Sequence, residues 1–160
     1  MIKSTLNEIC VDACRQSLVD LRPKILAACD TEKDSIAFRY EDTIFPPTYR
    51  VDLLLLSIDV YCYKDSRDTG KYCDLKLAEW RRRRDSNKPL ACEDCILGPW
   101  RAQQMTPIGY EQDRADDFIV STSSCSATGY EYVKPTKYGY SVATDVVMPV
   151  FASASVTPAE

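Results

Sequence analysis

Histidine is absent from this 160-residue sequence. Its absence removes Ser-His-Asp and Cys-His nucleophilic mechanisms, His-ligated metal sites and the usual side-chain switch near neutral pH. Long apolar runs are missing as well. The run of four leucines, Leu53 to Leu56, falls far short of the roughly 18 residues that a membrane span requires. Nor is there a basic surplus: 20 basic residues face 24 acidic ones for a net charge of −4, which argues against a nucleic-acid partner. The only asparagines are Asn7 and Asn87, and neither opens an Asn-x-Ser/Thr glycosylation acceptor. Residues Met1 to Glu8 hold no apolar core of signal-peptide length.

What is present is cysteine, eight in all. An even number in a chain this short points to four disulfides and an oxidising compartment. That conflicts with the missing leader, and a mature fragment with an added Met, or a gene model lacking its leader, reconciles the two. The hydrophobic fraction of 45% and charged fraction of 28% are those of an ordinary globular domain rather than a disordered chain. At this length a domain buries roughly 70% of the surface of its unfolded chain.

The periodicity predicts a mainly α domain of five or six helices over residues 4–132, followed by an extended tail or linker over 133–160. Residues 4–29 carry Leu6, Ile9, Cys10, Ala13, Cys14 and Leu18 on one face, with Pro23 expected to divide them into two helices. A small β-hairpin is expected near 37–45. Pro46-Pro47-Thr48 opens a helix over Tyr49–Tyr61 whose leucines predict burial all round. Further helices are expected at Cys73–Arg83, Cys92–Met105 and Glu111–Ser124, the last with Ala115, Phe118, Ile119 and Thr122 facing inward. The tail is rich in Val, Thr, Ala, Ser and Pro and contains no cysteine.

Cys10 and Cys14 share one helix face, and so do Cys92 and Cys95. The first pair is therefore expected to bond to two partners among Cys29, Cys92, Cys95 and Cys125. Cys62 and Cys73 bracket a polar loop and form the best single pairing. Eight cysteines allow 105 connectivities, so the rest stays open. A four-thiolate zinc site of Cys10, Cys14, Cys92 and Cys95 is the rival reading, weakened by four leftover cysteines and an unusual CxxxC spacing. No metal and no cofactor is expected.

Several motifs occur in an order that resembles a known family. They are Cys10-x3-Cys14 followed by Cys29, Pro46-Pro47-Thr48-Tyr49, Cys62-Tyr63-Lys64-Asp65, Thr69-Gly70-Lys71-Tyr72-Cys73, Cys92-Glu93-Asp94-Cys95-Ile96-Leu97-Gly98, Pro107-Ile108-Gly109-Tyr110 and Ser121 to Tyr130. Over residues 9–140 the chain resembles the cysteine-rich region that precedes the LysM repeats of secreted fungal LysM-domain proteins. The resemblance implies an extracellular protein at chitinous walls, where LysM modules bind N-acetylglucosamine oligomers. The LysM module itself is not present: its Tyr-x-Val-x-x-Gly-Asp-Thr start is lacking, and Tyr140-Ser141-Val142-Ala143-Thr144-Asp145 is the nearest stretch. The family's chitin-holding residues therefore map to no position here. Partnership with chitin or another cell-wall glycan is expected through neighbouring modules, with no nucleic acid and no membrane involved.

Ten of the sixteen aromatics are tyrosines. Tyr130, Tyr132, Tyr138 and Tyr140 alternate along the chain and form a candidate sugar-stacking platform, since a flat ring with a polar tip suits a pyranose. The plainer reading is a tail packing its tyrosines on the helices. A carboxylate-dependent glycoside hydrolase needs only two acids, and Asp113, Asp116 and Asp117, or Glu93 and Asp94, supply them. An intracellular thiol or zinc protein is the third class. The run Arg81 to Arg84 is read as the solvated end of a helix, against a nuclear address, an anionic-partner patch or a processing site. A non-catalytic extracellular accessory or interaction module is the function the sequence favours.

Overall fold

A computed structural model describes residues 3–29, 33–37, 43–68, 70–83, 90–136 and 140–141. Among these residues the chain is mainly α. Six helices run in the order α1 (Lys3–Ile9), α2 (Asp12–Ala28), α3 (Tyr49–Tyr61), α4 (Cys73–Arg83), α5 (Asp94–Gln104) and α6 (Gln112–Ser124), with a 3-10 turn at Leu90–Cys92 before α5. The hairpin pairs β1 (Ile36–Ala37) with β2 (Thr43–Phe45), placing Ile36 opposite Phe45. A third strand not expected from the sequence, β3 (Tyr140–Ser141), joins the other edge of β2 antiparallel, placing Ile44 opposite Tyr140. Phe45 stacks on Tyr49 with ring centroids 4.7 Å apart, tying the sheet to the start of α3.

The first helical stretch breaks at Cys10–Val11, not at Pro23, which α2 accommodates in its interior. A proline there removes one backbone donor and bends a helix, but need not end it when the helix is held from outside. Here α2 is held by α3. Arg15 donates to Asp59 at 2.8 Å and Arg22 donates to Asp52 at 2.6 Å, so two ion pairs join helices that run antiparallel. The break after Ile9 frees α1 to place Leu6 in the core, where it is fully buried. No residue of α2 is buried, and Val11, Val19, Leu21 and Leu26 are exposed.

The expected all-round burial of α3 is not what the fold uses. Only Val51 and Asp52 of that helix are buried, and Leu54 is exposed. Helix α5 is the central element instead, packing against α3, α4 and α6 and burying Asp94, Cys95, Leu97 and Gly98. Ala115 and Phe118 of α6 face inward as expected, whereas Ile119 is 58% exposed.

Three disulfides staple this small core: Cys10–Cys62, Cys73–Cys95 and Cys92–Cys125. The expected Cys62–Cys73 bond does not form. Lys64 bridges Tyr72 antiparallel and the Cys73 amide donates to the Tyr63 carbonyl at 2.9 Å, so the partner of position 73 is Tyr63, not Cys62. One residue of register turns a side chain to the opposite face. Cys73 faces α5, while Cys62, at the end of α3, faces Cys10. The expected sharing of Cys10 and Cys14 among the later cysteines fails too, because Cys14 and Cys29 are free. They stand fifteen positions apart near the two ends of α2, about 22 Å along a helix, whereas a disulfide needs Cα atoms within about 7 Å. With closed spans of 52, 22 and 33 residues, each bond stabilises by about 3.5–4 kcal/mol in the loop-entropy account.

Peptide mapping without reduction should recover those three linkages, and thiol titration of the denatured chain should count two. A Cys62–Cys73 peptide would contradict the fold. Gly98 offers a second check, since a Cβ there would overlap the Tyr63 ring. Alanine normally favours a helix over glycine by about 1 kcal/mol. Gly98→Ala should instead destabilise by about 2–3 kcal/mol in denaturant titrations, as overpacking outweighs propensity.

Candidate functional site

The last turn of α6 determines where the following segment goes. The Ser126 amide donates to Ser123 O at 3.0 Å and the Ala127 amide to Thr122 O at 2.9 Å. Ser126 takes φ 48° and Gly129 φ 83°, the left-handed backbone of a Schellman stop followed by a turn. With Cys125 bonded to Cys92, residues 127–136 are returned across α5 and α6. Four contacts fix them. Tyr130 Oη donates to Asp94 at 2.7 Å, Arg101 Nε donates to Glu131 O at 2.8 Å, and Lys134 Nζ donates to Gln112 Oε1 at 2.7 Å. Tyr132 meets Phe118 edge-on at 5.9 Å, and Phe118 in turn meets Trp100 at 5.3 Å.

Between this returning strap and α6 lies a cavity of about 460 Å³, lined by Tyr110, Phe118, Tyr130 and Tyr132 together with polar groups that include Gln112 and Lys134. Its floor is aromatic and its rim polar. Gln112 organises one side: its carbonyl oxygen accepts from Tyr110 Oη at 2.8 Å and from Lys134, while its amide donates to Asp116 at 2.8 Å. The Lys134 ammonium also stands 5.1 Å above the Tyr110 ring centre, a cation–π contact that helps keep it at the rim. Burial pushes the Tyr132 phenol up, and Tyr110 and Asp116 add to that.

Asp94 anchors the opposite wall. It is buried and accepts from the Ser66 amide at 2.7 Å, from Tyr130, and from Tyr63 at 3.2 Å. Burial alone would raise its carboxyl pKa, but hydrogen bonds from Ser66, Tyr130 and Tyr63 outweigh it and hold it below the usual range. Burial, and then the bond to Asp94, pushes the Tyr130 phenol far up. A similar balance holds Asp65 down: burial raises it, but the Lys76 ammonium and the Arg67 amide prevail.

The expected site residues fall as follows. Tyr130 and Tyr132 both line the groove, although the Tyr130 hydroxyl is committed to Asp94. Tyr138 lies outside the described residues, as does the side chain of Tyr140, whose backbone forms β3. Tyr110, Gln112 and Lys134 belong to the groove but carry no local signal, because Lys134 arrives on the strap, 22 residues along the chain from Gln112. The zinc reading is overturned, since Cys10, Cys92 and Cys95 are consumed in disulfides. Cys14 lies instead in an apolar cleft with Ile9, Leu18, Leu54 and Tyr61. Of the hydrolase acids, Asp94 is occupied by three donors, Glu93 lies 3.8 Å from Arg67, and Asp113, Asp116 and Asp117 are exposed on α6. Arg81 and Arg82 are exposed on the last turns of α4; Arg84 lies outside the described residues.

A carboxyl held low by folding contributes stability that is complete above its unfolded pKa, about 3.9, and is lost as pH falls through the folded value. Replacing Asp94 with Asn should therefore flatten the acid limb of a stability–pH curve below about pH 4. At pH 7 it should cost about 2–3 kcal/mol, the scale of hydrogen bonds to a buried charge. An unchanged acid limb would show that other carboxylates dominate.

Comparison with known proteins yields one informative relative. The chain is 25% identical over 151 residues to the secreted LysM effector Lys3 of Pochonia chlamydosporia, a match covering 94% of this chain. It spans about 15% of the length of that relative. No family model matches the chain, and no solved structure matches it.

Proposed function

We propose that this chain is a non-catalytic accessory or interaction module of an extracellular LysM-type protein, working beside modules that hold chitin or another cell-wall glycan. The observation that carries the reading is the match to a secreted LysM effector along 94% of the chain. Three disulfides among the described residues support it, because such bonds persist in oxidising compartments. The occupied state of Asp94 supports the non-catalytic part for that one acid: its oxygens already accept from Ser66, Tyr63 and Tyr130, so they are not free to act as a nucleophile or base.

Fractionating a fungal host that expresses the protein tests the proposal. It should be recovered in the medium or wall fraction with its disulfides formed, should sediment with insoluble chitin, and should release no reducing ends from it. Recovery in the cytosol with every thiol reduced would overturn the extracellular role. Steady release of soluble oligomers would overturn the non-catalytic one.

A further inference from the structure

We infer that the groove between the 127–136 strap and α6 is itself a saccharide-binding subsite, accepting one or two units of a neutral oligosaccharide. The inference deepens the glycan-associated reading above and rests on it. The module would then touch the glycan directly rather than merely accompany modules that do.

The groove has the two-sided chemistry of a pyranose. A sugar ring presents an apolar C–H face and an edge of hydroxyls that each donate and accept. Here Tyr132 supplies the flat surface, in edge-on contact with Phe118, and its ring is half-buried rather than lost in the core. Among the described residues its hydroxyl has no hydrogen-bond partner. Lys134 uses one of its three protons on Gln112, leaving donors at the rim. Glu131 lines the same opening, and its carboxylate sets an acceptor beside those donors. An apolar ligand would strip water from these groups without replacing their bonds.

The preference for a neutral sugar follows from the charges. Glu131 lines the groove with Lys134, and Asp116 sits one hydrogen bond behind Gln112. A uronic acid or sulfated sugar would meet more negative than positive charge. The groove is also preorganised: Gln112 is held by Tyr110, Lys134 and Asp116 before any ligand arrives, so little ordering remains to oppose binding. A proline-rich peptide is the other occupant that an aromatic groove admits. The unspent donors of Lys134 and the Glu131 carboxylate beside the half-buried Tyr132 ring favour the sugar.

The test is a heteronuclear NMR titration of the oxidised 160-residue chain with chitotetraose, cellotetraose, a tetragalacturonate and a proline-rich decapeptide. Shifts at Tyr132, Tyr110 and Gln112 with a neutral oligosaccharide, saturating at about millimolar concentration, are expected. Tyr132→Ala should weaken binding about tenfold or more. Lys134→Ala and Gln112→Ala, both on the exposed rim, should weaken it severalfold while leaving the disulfides and helicity intact. No groove shifts with either neutral sugar, shifts unaffected by all three substitutions, or a response to the peptide or tetragalacturonate alone would each overturn the subsite. If the chain gives no shifts while the whole protein still sediments with chitin, the subsite fails and the accessory role stands.

Discussion

A single buried carboxylate joins three parts of this chain that are far apart in sequence. Asp94, in the first turn of α5, receives the Ser66 amide from the α3–α4 connection, the Tyr63 hydroxyl just after α3, and the Tyr130 hydroxyl from the strap. A charge in a protein interior is tolerated only when its lone pairs are filled, so each segment that donates to it is held at a set distance. The α5 N-terminus adds a favourable field, since an acid in a first helical turn faces unpaired amides. The groove wall, the loop before α4 and the seat of Tyr63 against Gly98 all depend on this arrangement.

The rest of the stability comes from modest sources. Few apolar side chains are fully buried among the described residues, Leu6, Leu97 and Phe118 being the largest. A core of this size leaves little margin against chain entropy, which accounts for the disulfides and for the ionic ladder between α2 and α3. The Lys76–Asp65 pair does similar work beneath the 63–72 loop. Both partners are largely buried, so breaking one side would strand the other charge.

Much of the architecture was legible in the sequence. Helices α3, α4 and α6 lie within a residue of their periodicity-based limits, because each combines an apolar stripe with a clear stop. The hairpin was legible from two short segments, Ala37 to Tyr40 and Thr43 to Phe45, flanking the polar Glu41-Asp42 pair. The break between α1 and α2 was not: a proline is a conspicuous signal, whereas Cys10–Val11 breaks to seat Leu6 and lay α2 on α3, a tertiary demand. Cysteine pairing failed for a related reason, since proximity in sequence says nothing about register. Within the groove, Tyr130 and Tyr132 stood out by composition. Gln112 and Lys134 did not, and Asp94 stood out only as a candidate hydrolase acid, because their partners lie 22 and 36 residues away and such pairings leave no local pattern.

The disulfides divide the chain in a way that their number conceals. Cys10–Cys62 closes one span, and Cys73–Cys95 with the overlapping Cys92–Cys125 closes another; no described bridge crosses from one span to the other. The polar connection from Tyr63 to Tyr72 is thus the sole covalent hinge between the two described stapled spans, and Ser66, Arg67 and Asp68 within it are exposed. A protease that nicked it would leave two internally cross-linked fragments. What then keeps them together is the α3–α5 packing, the β2–β3 pairing and the hydrogen bonds to Asp94, so the nicked protein behaves as a non-covalent heterodimer whose association depends on dilution.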